Sequence, residues 1–112
     1  MAEKIVWPEG EADKISPAAV SGAIAVTIEN QFTIIETTTL TGNATLNLTI
    51  DAQIRKGALL KVLSKTNATE SLTPGTGMTG PAYAGVAGKT KSQSWYYDGS
   101  TFKPDGVAFQ ID

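Results

Sequence analysis

Ala44-Thr45-Leu46-Asn47-Leu48-Thr49-Ile50 decides the fold class. Ala44, Leu46, Leu48 and Ile50 alternate without a break against Thr45, Asn47 and Thr49. Side chains of a strand point to opposite faces with a period of two, so this stretch predicts a half-buried β-strand with its apolar residues on a core. Thr41-Gly42-Asn43 before it and Asp51 after it supply turn chemistry. A slip of one residue would exchange the two faces, so the register should be firmly set.

Strand-like text continues on both sides. Ala23 to Glu29 sets Ile24, Val26 and Ile28 against Ala23, Ala25 and Thr27, and Asn30-Gln31 reads as a turn before Phe32-Thr33-Ile34-Ile35-Glu36. Ala58-Leu59-Leu60-Lys61-Val62-Leu63 is apolar on both faces except at Lys61, which predicts a central strand covered on two sides. Ser71-Leu72-Thr73 reads as a short edge strand stopped by Pro74, followed by a Gly-rich loop to Gly88. Asp98-Gly99, between Ser92–Tyr97 and Ser100–Lys103, is a two-residue hairpin signal. That turn would pair Tyr97 with Ser100, Tyr96 with Thr101 and Trp95 with Phe102, placing Trp95, Tyr97 and Phe102 on one face. The last run, Val107 to Ile111, reads as a closing strand with Val107, Phe109 and Ile111 inward.

Ser16-Pro17-Ala18-Ala19-Val20-Ser21-Gly22 has the punctuation of one short helix at 17–21, with Ser16 as cap and Gly22 as stop. Residues 1–14 read as an N-terminal arm: the apolar Ile5-Val6-Trp7, then Pro8 and a polar link, Glu9 to Lys14. The arm is a frayed terminus, an edge strand covering its own domain's core, or an anchor that docks Trp7 on a neighbour. The expected architecture is therefore all-β: a single antiparallel β-sandwich or jelly-roll-like domain at 15–112, preceded by the arm at 1–14.

Composition narrows the chemistry. The 112 residues suit one domain with a modest core, which assembly with other copies would help to cover. There is no cysteine and no histidine, hence no thiolate, no disulfide and no imidazole base or ligand. The net charge of −2 gives no electrostatic case for nucleic acid. No apolar run approaches membrane-span length, so no membrane insertion is expected. Met1-Ala2-Glu3-Lys4 does not read as the start of a signal peptide, and a cytoplasmic origin is expected.

Individual motifs have plain explanations. Gly88-Lys89-Thr90 resembles the end of a phosphate-binding loop, but Tyr83 stands where the motif needs glycine and a strand follows where it needs a helix. Asn43-Ala44-Thr45, Asn47-Leu48-Thr49 and Asn67-Ala68-Thr69 match a glycosylation acceptor pattern, as a Thr- and Asn-rich strand does by chance. Asp98 and Asp105 could form the carboxylate pair of a hydrolase, yet each sits beside a glycine where turn chemistry accounts for it. Trp95, Tyr96 and Tyr97 are candidate ligand or interface aromatics. Neighbours in a strand face opposite ways, so at least one of them must point outward. No catalytic residue, metal ligand or cofactor is expected.

Thr39 to Leu48, Gly57 to Val62, the Thr76-Gly77-Met78-Thr79-Gly80-Pro81 loop and the Ser94 to Phe102 hairpin, in that order, resemble the small β-domains of tailed-bacteriophage virion proteins: head fibres, capsid decoration proteins and tail-fibre modules. The resemblance covers roughly the last two thirds of the chain and is one of texture and order. It implies a non-enzymatic virion structural protein assembled in the host cytoplasm, a homotrimer attached to a phage capsid or tail protein through a terminal segment. Ile5, Val6 and Trp7 would then be the docking or oligomer interface. The alternative is a carbohydrate-binding or host-adhesion module that meets a host-surface glycan through Trp95, Tyr96 and Tyr97.

Overall fold

A computed structural model describes the backbone of residues 3–7 and 10–112 and the side chains from Asp13 onward. Eleven strands make up its regular structure: β1 Glu3–Trp7, β2 Gly10–Ile15, β3 Gly22–Ile28, β4 Phe32–Glu36, β5 Ala44–Ile50, β6 Leu59–Lys65, β7 Ser71–Pro74, β8 Tyr83–Ala84, β9 Thr90–Tyr97, β10 Phe102–Pro104 and β11 Phe109–Gln110. The larger sheet runs β1-β2-β4-β6-β9-β10, with β11 also on β9, and the smaller runs β3-β5-β7-β8.

The expected antiparallel arrangement is corrected: both sheets are mixed. From β2 to β7 the chain alternates between sheets, so each strand's neighbour within a sheet is the strand two places on and runs the same way. β2–β4, β4–β6, β3–β5 and β5–β7 are all parallel. Antiparallel pairing returns where the winding stops, at β1–β2, β6–β9, β7–β8, β9–β10 and β9–β11. Alternation of side chains within one strand says which face is buried but nothing about strand direction, so this was not readable from the periodicity.

The alternation itself holds. Ala44, Leu46 and Leu48 of β5 are buried, as are Ile24, Val26 and Ile28 of β3, and they share one core with Ile35, Leu60, Val62, Trp95 and Phe102 of the larger sheet. Burying each such side chain stabilises by roughly 1.5–3 kcal/mol. The short helix expected at 17–21 is absent: residues 16–20 are irregular and Ser21 is a bend. Pro17 O, which a helix would use, instead accepts from Thr38 Oγ1 of the opposite loop (2.9 Å), and Val20 O accepts from Thr41 N (2.9 Å). One helical turn cannot outweigh such tertiary bonds.

Three further expectations change. β7 is not an edge; it lies between β5 and β8. β6 is central, between β4 and β9, but only one of its faces is covered. The closing strand shrinks to β11, and Val107, Phe109 and Ile111 are 83%, 58% and 49% exposed rather than inward. The core side of the larger sheet at β9 is already filled by Trp95 and Gln93, both buried, so the late-arriving segment adds to the margin of β9 instead.

Candidate interaction surface

The outward face of the larger sheet can be built row by row from its register. Thr33, Leu60 and Trp95 are matched across β4, β6 and β9 and point into the core, as do Ile35, Val62 and Gln93. The residues between them point out. One outward row is Phe32, Leu59 and Tyr96; the next is Lys14, Ile34, Lys61 and Ser94; the third is Glu36, Leu63, Ser92 and Phe109. Leu59 is 48% and Tyr96 43% exposed, while Phe32, Ile34 and Leu63 are half-buried. Lys14 pairs with Glu36 at 3.3 Å along one margin. Phe32, Leu59 and Tyr96 make an apolar row of the kind that marks a contact surface, separated from Leu63 and Phe109 by a row that carries Lys14 and Lys61.

The aromatic hairpin divides between core and surface. Trp95 is 2% exposed, with its indole N–H donating to Thr79 O at 3.0 Å, so it serves the core and does not face a ligand. Tyr96 is the outward member. Tyr97 is half-buried, with its ring 5.1 Å from that of Phe102. The register differs by two residues from the expected one: Tyr97 pairs with Phe102 and Trp95 with Pro104. The turn is four residues long because Asp98 Oδ1 accepts from Ser100 N (2.8 Å) and Thr101 N (2.9 Å), and Asp98 N donates to Thr101 O (3.1 Å). A shift of two preserves parity, so Trp95, Tyr97 and Phe102 still share a face.

The other singled-out residues have structural roles. Asp98 has its carboxyl held below the ordinary range, chiefly by those backbone N–H donors, and lies 3.7 Å from Lys103. Asp105 donates its backbone N–H to Ser94 O (2.8 Å) in the next turn. Gly88, with φ of 71°, turns the chain into β9, so a strand follows Gly88-Lys89-Thr90. Asn43 Oδ1 accepts from Ser71 N (3.0 Å) and Asn47 Oδ1 from Thr76 N (2.9 Å), tying the rim of the smaller sheet to the segment after it. Sequence reasoning missed these carboxamide ties; the signal was an asparagine on the polar side of a strand with a Gly/Thr loop to come.

Ile5, Val6 and Trp7 fall in β1, the marginal strand of the larger sheet, paired with Ala12, Glu11 and Gly10; their side chains lie outside the described residues. At the far end of the outward face a hollow of about 290 Å³ is lined by Ser16, Glu36, Thr38, Thr39, Lys65 and Thr90 among others. Among the described residues no group of three or more acidic side chains could hold a metal ion, and there is no helix long and apolar enough to cross a membrane. Comparison with family models, with curated proteins and with solved structures finds no match for this chain.

Proposed function

We propose that this chain is a non-enzymatic structural protein of a tailed-bacteriophage virion, a head fibre or capsid decoration protein, working as a homotrimer with a sandwich-like body and attached to the particle surface. The observation that carries the reading is the outward face of the larger sheet, where the described residues leave Leu59, Tyr96 and Phe109 exposed beside Lys61. At ~3.3 Å per residue and ~4.8 Å per strand, the length of β6 across five strands gives a face of roughly 500 Å². Set against a different patch of the next copy, a face of that size buries about 1,000 Å² in all, the lower bound for a stable interface. Assembly supplies cover that the described residues do not. The resemblance of the last two thirds to virion β-domains provides the setting and the number three. Mass spectrometry of purified virions from a phage encoding this chain, with light scattering of the isolated protein, tests both parts. The chain should be a stoichiometric particle component and a trimer in solution. Its absence from washed particles would refute the virion role.

The glycan-binding alternative has a different anchor in this structure. With Trp95 in the core, Tyr96 and the threonine-lined hollow are the groups that remain to meet a sugar. A glycan array decides it: saturable binding lost on Lys65→Ala in a folded trimer would favour adhesion over a purely structural role.

A further inference from the structure

We propose that the free edge of β3 is a docking edge, and that its occupant is β1 of a second copy of this chain; the choice of occupant rests on the trimeric reading above. β3 is seven residues long and carries no charge and no proline. It pairs with β5 alone. Gly22 N donates to Asn43 O (2.9 Å) and Ile28 O accepts from Asp51 N (2.9 Å), so the even-numbered residues of β3 bond β5. In a parallel ladder, both backbone groups of a residue point the same way. Ala23, Ala25 and Thr27 therefore aim their N–H and C=O groups away from β5, and among the described residues nothing bonds them. Proteins usually guard such an edge with lysine, proline, a bulge or a covering segment, and β3 has no charge or proline to do so. Its exposed side chains, Ala23, Ala25 and Thr27, are small and leave the approach open.

A cyclic trimer has no self-complementary contact, so each copy must offer two different patches that fit one another. Of the marginal strands, β8, β10 and β11 are two or three residues long, whereas β1 has five and β3 has seven. Among the described residues β1 is bonded on one side only, to β2. These are the two unlike edges long enough for a lasting ladder. Joining β1 of one copy to β3 of the next closes head to tail, gains affinity through backbone hydrogen bonds, and places no like charge opposite β3.

The test uses the full-length chain. Ala25→Pro removes one donor on the free side and spares the β5 ladder, a position at which an edge strand tolerates proline. Light scattering should show a monomer with an unchanged circular dichroism spectrum. In the unmodified trimer, the Ala25 amide should exchange with deuterium on the order of 100-fold more slowly than in the dissociated chain. Because the chain has no cysteine, single-cysteine variants report neighbours directly. A25C mixed with I5C or V6C should give a cross-linked heterodimer under oxidation. A trimeric Ala25→Pro variant, or fast exchange at Ala25 within the trimer, overturns the docking edge while leaving the trimer in place. Self-cross-linking of A25C alone overturns β1 as the occupant. A monomeric unmodified chain removes the trimeric reading and this inference with it. If Ala25→Pro fails to fold, the exchange measurement on the unmodified trimer decides.

Discussion

Replacing Gly75 by alanine tests how closely the strand-following loop approaches β5. A Cβ at Gly75 would lie 2.2 Å from Asn47 Oδ1, 2.8 Å from Leu46 O and 2.8 Å from Thr45 Cγ2. Two of those contacts are to β5 side chains and one is to its backbone, so a side-chain rotation cannot relieve them all. The substitution also threatens the bonds from Gly75 N to Leu46 O (2.8 Å) and from Thr76 N to Asn47 Oδ1 (2.9 Å). Overpacking of this kind costs about 1–3 kcal/mol, and each weakened bond adds about 1 kcal/mol. Against this, Gly→Ala restricts the unfolded chain and gains about 0.4–1 kcal/mol. The net expectation is a destabilisation of about 1–4 kcal/mol, read as a lower urea midpoint with an unchanged slope. Adding Asn47→Ala removes the shortest clash, so that second change should be less costly in the Gly75→Ala background than in the parent. A Gly75→Ala variant as stable as the parent, or more so, would refute the close approach.

Other outcomes follow from the same geometry. Leu46→Ala, at a fully buried position of β5, should cost about 2–5 kcal/mol in chemical denaturation. Leu59→Ser should leave the monomer's stability within about 0.5 kcal/mol but weaken self-association in sedimentation, since Leu59 is half exposed. Burial pushes the Tyr83 phenol up to about 12, an effect the Ser64 hydroxyl partly offsets. The unfolded phenol ionises near 10, so stability from this group is complete below pH 10 and declines as pH rises toward about 12, which ultraviolet titration of the phenolate follows. The Asp98 and Asp112 carboxyls are both held below 3.8 by backbone N–H donors, so their contribution is present above that pH and is lost as pH falls through their folded values; carboxyl chemical shifts should show both taking up their protons late in an acid titration.

What could be read from the residues was whatever depends on one strand at a time. The buried faces of β3 and β5, the outward Tyr96 and the shared face of Trp95, Tyr97 and Phe102 all follow from period-two alternation, which is local. Strand direction and partner are set by how far the connection travels, and nothing in Leu46 or Leu48 records whether the neighbour is parallel. The hairpin register failed because Asp98 has two uses in a turn. Asp-Gly favours a two-residue turn, but a carboxylate that accepts from Ser100 and Thr101 stabilises a longer one. The alternation of Val107, Phe109 and Ile111 carries no sign: it identifies an apolar face, while the sheet they join decides whether that face meets the core. The outward patch was half legible, in the doubly apolar β6; that it stays uncovered emerged only once the strands were assembled.

The back-and-forth course of the chain also governs how the molecule can form. Partners in the parallel ladders stand 20 residues apart (Asp13 to Thr33), 22 (Gly22 to Ala44), 27 (Phe32 to Leu59) and 28 (Ala44 to Leu72). Between β3 and its neighbour β5 the chain must lay down β4 in the opposite sheet, and between β4 and β6 it must lay down β5. Neither layer can be finished ahead of the other, and no short segment contains a complete ladder of the wound part. Such topology raises the entropic barrier to the first long-range contacts and slows folding. It also ties both layers into one cooperative unit: refolding should be slow and single-phased, and the slowest-exchanging amides of both sheets should lose protection together.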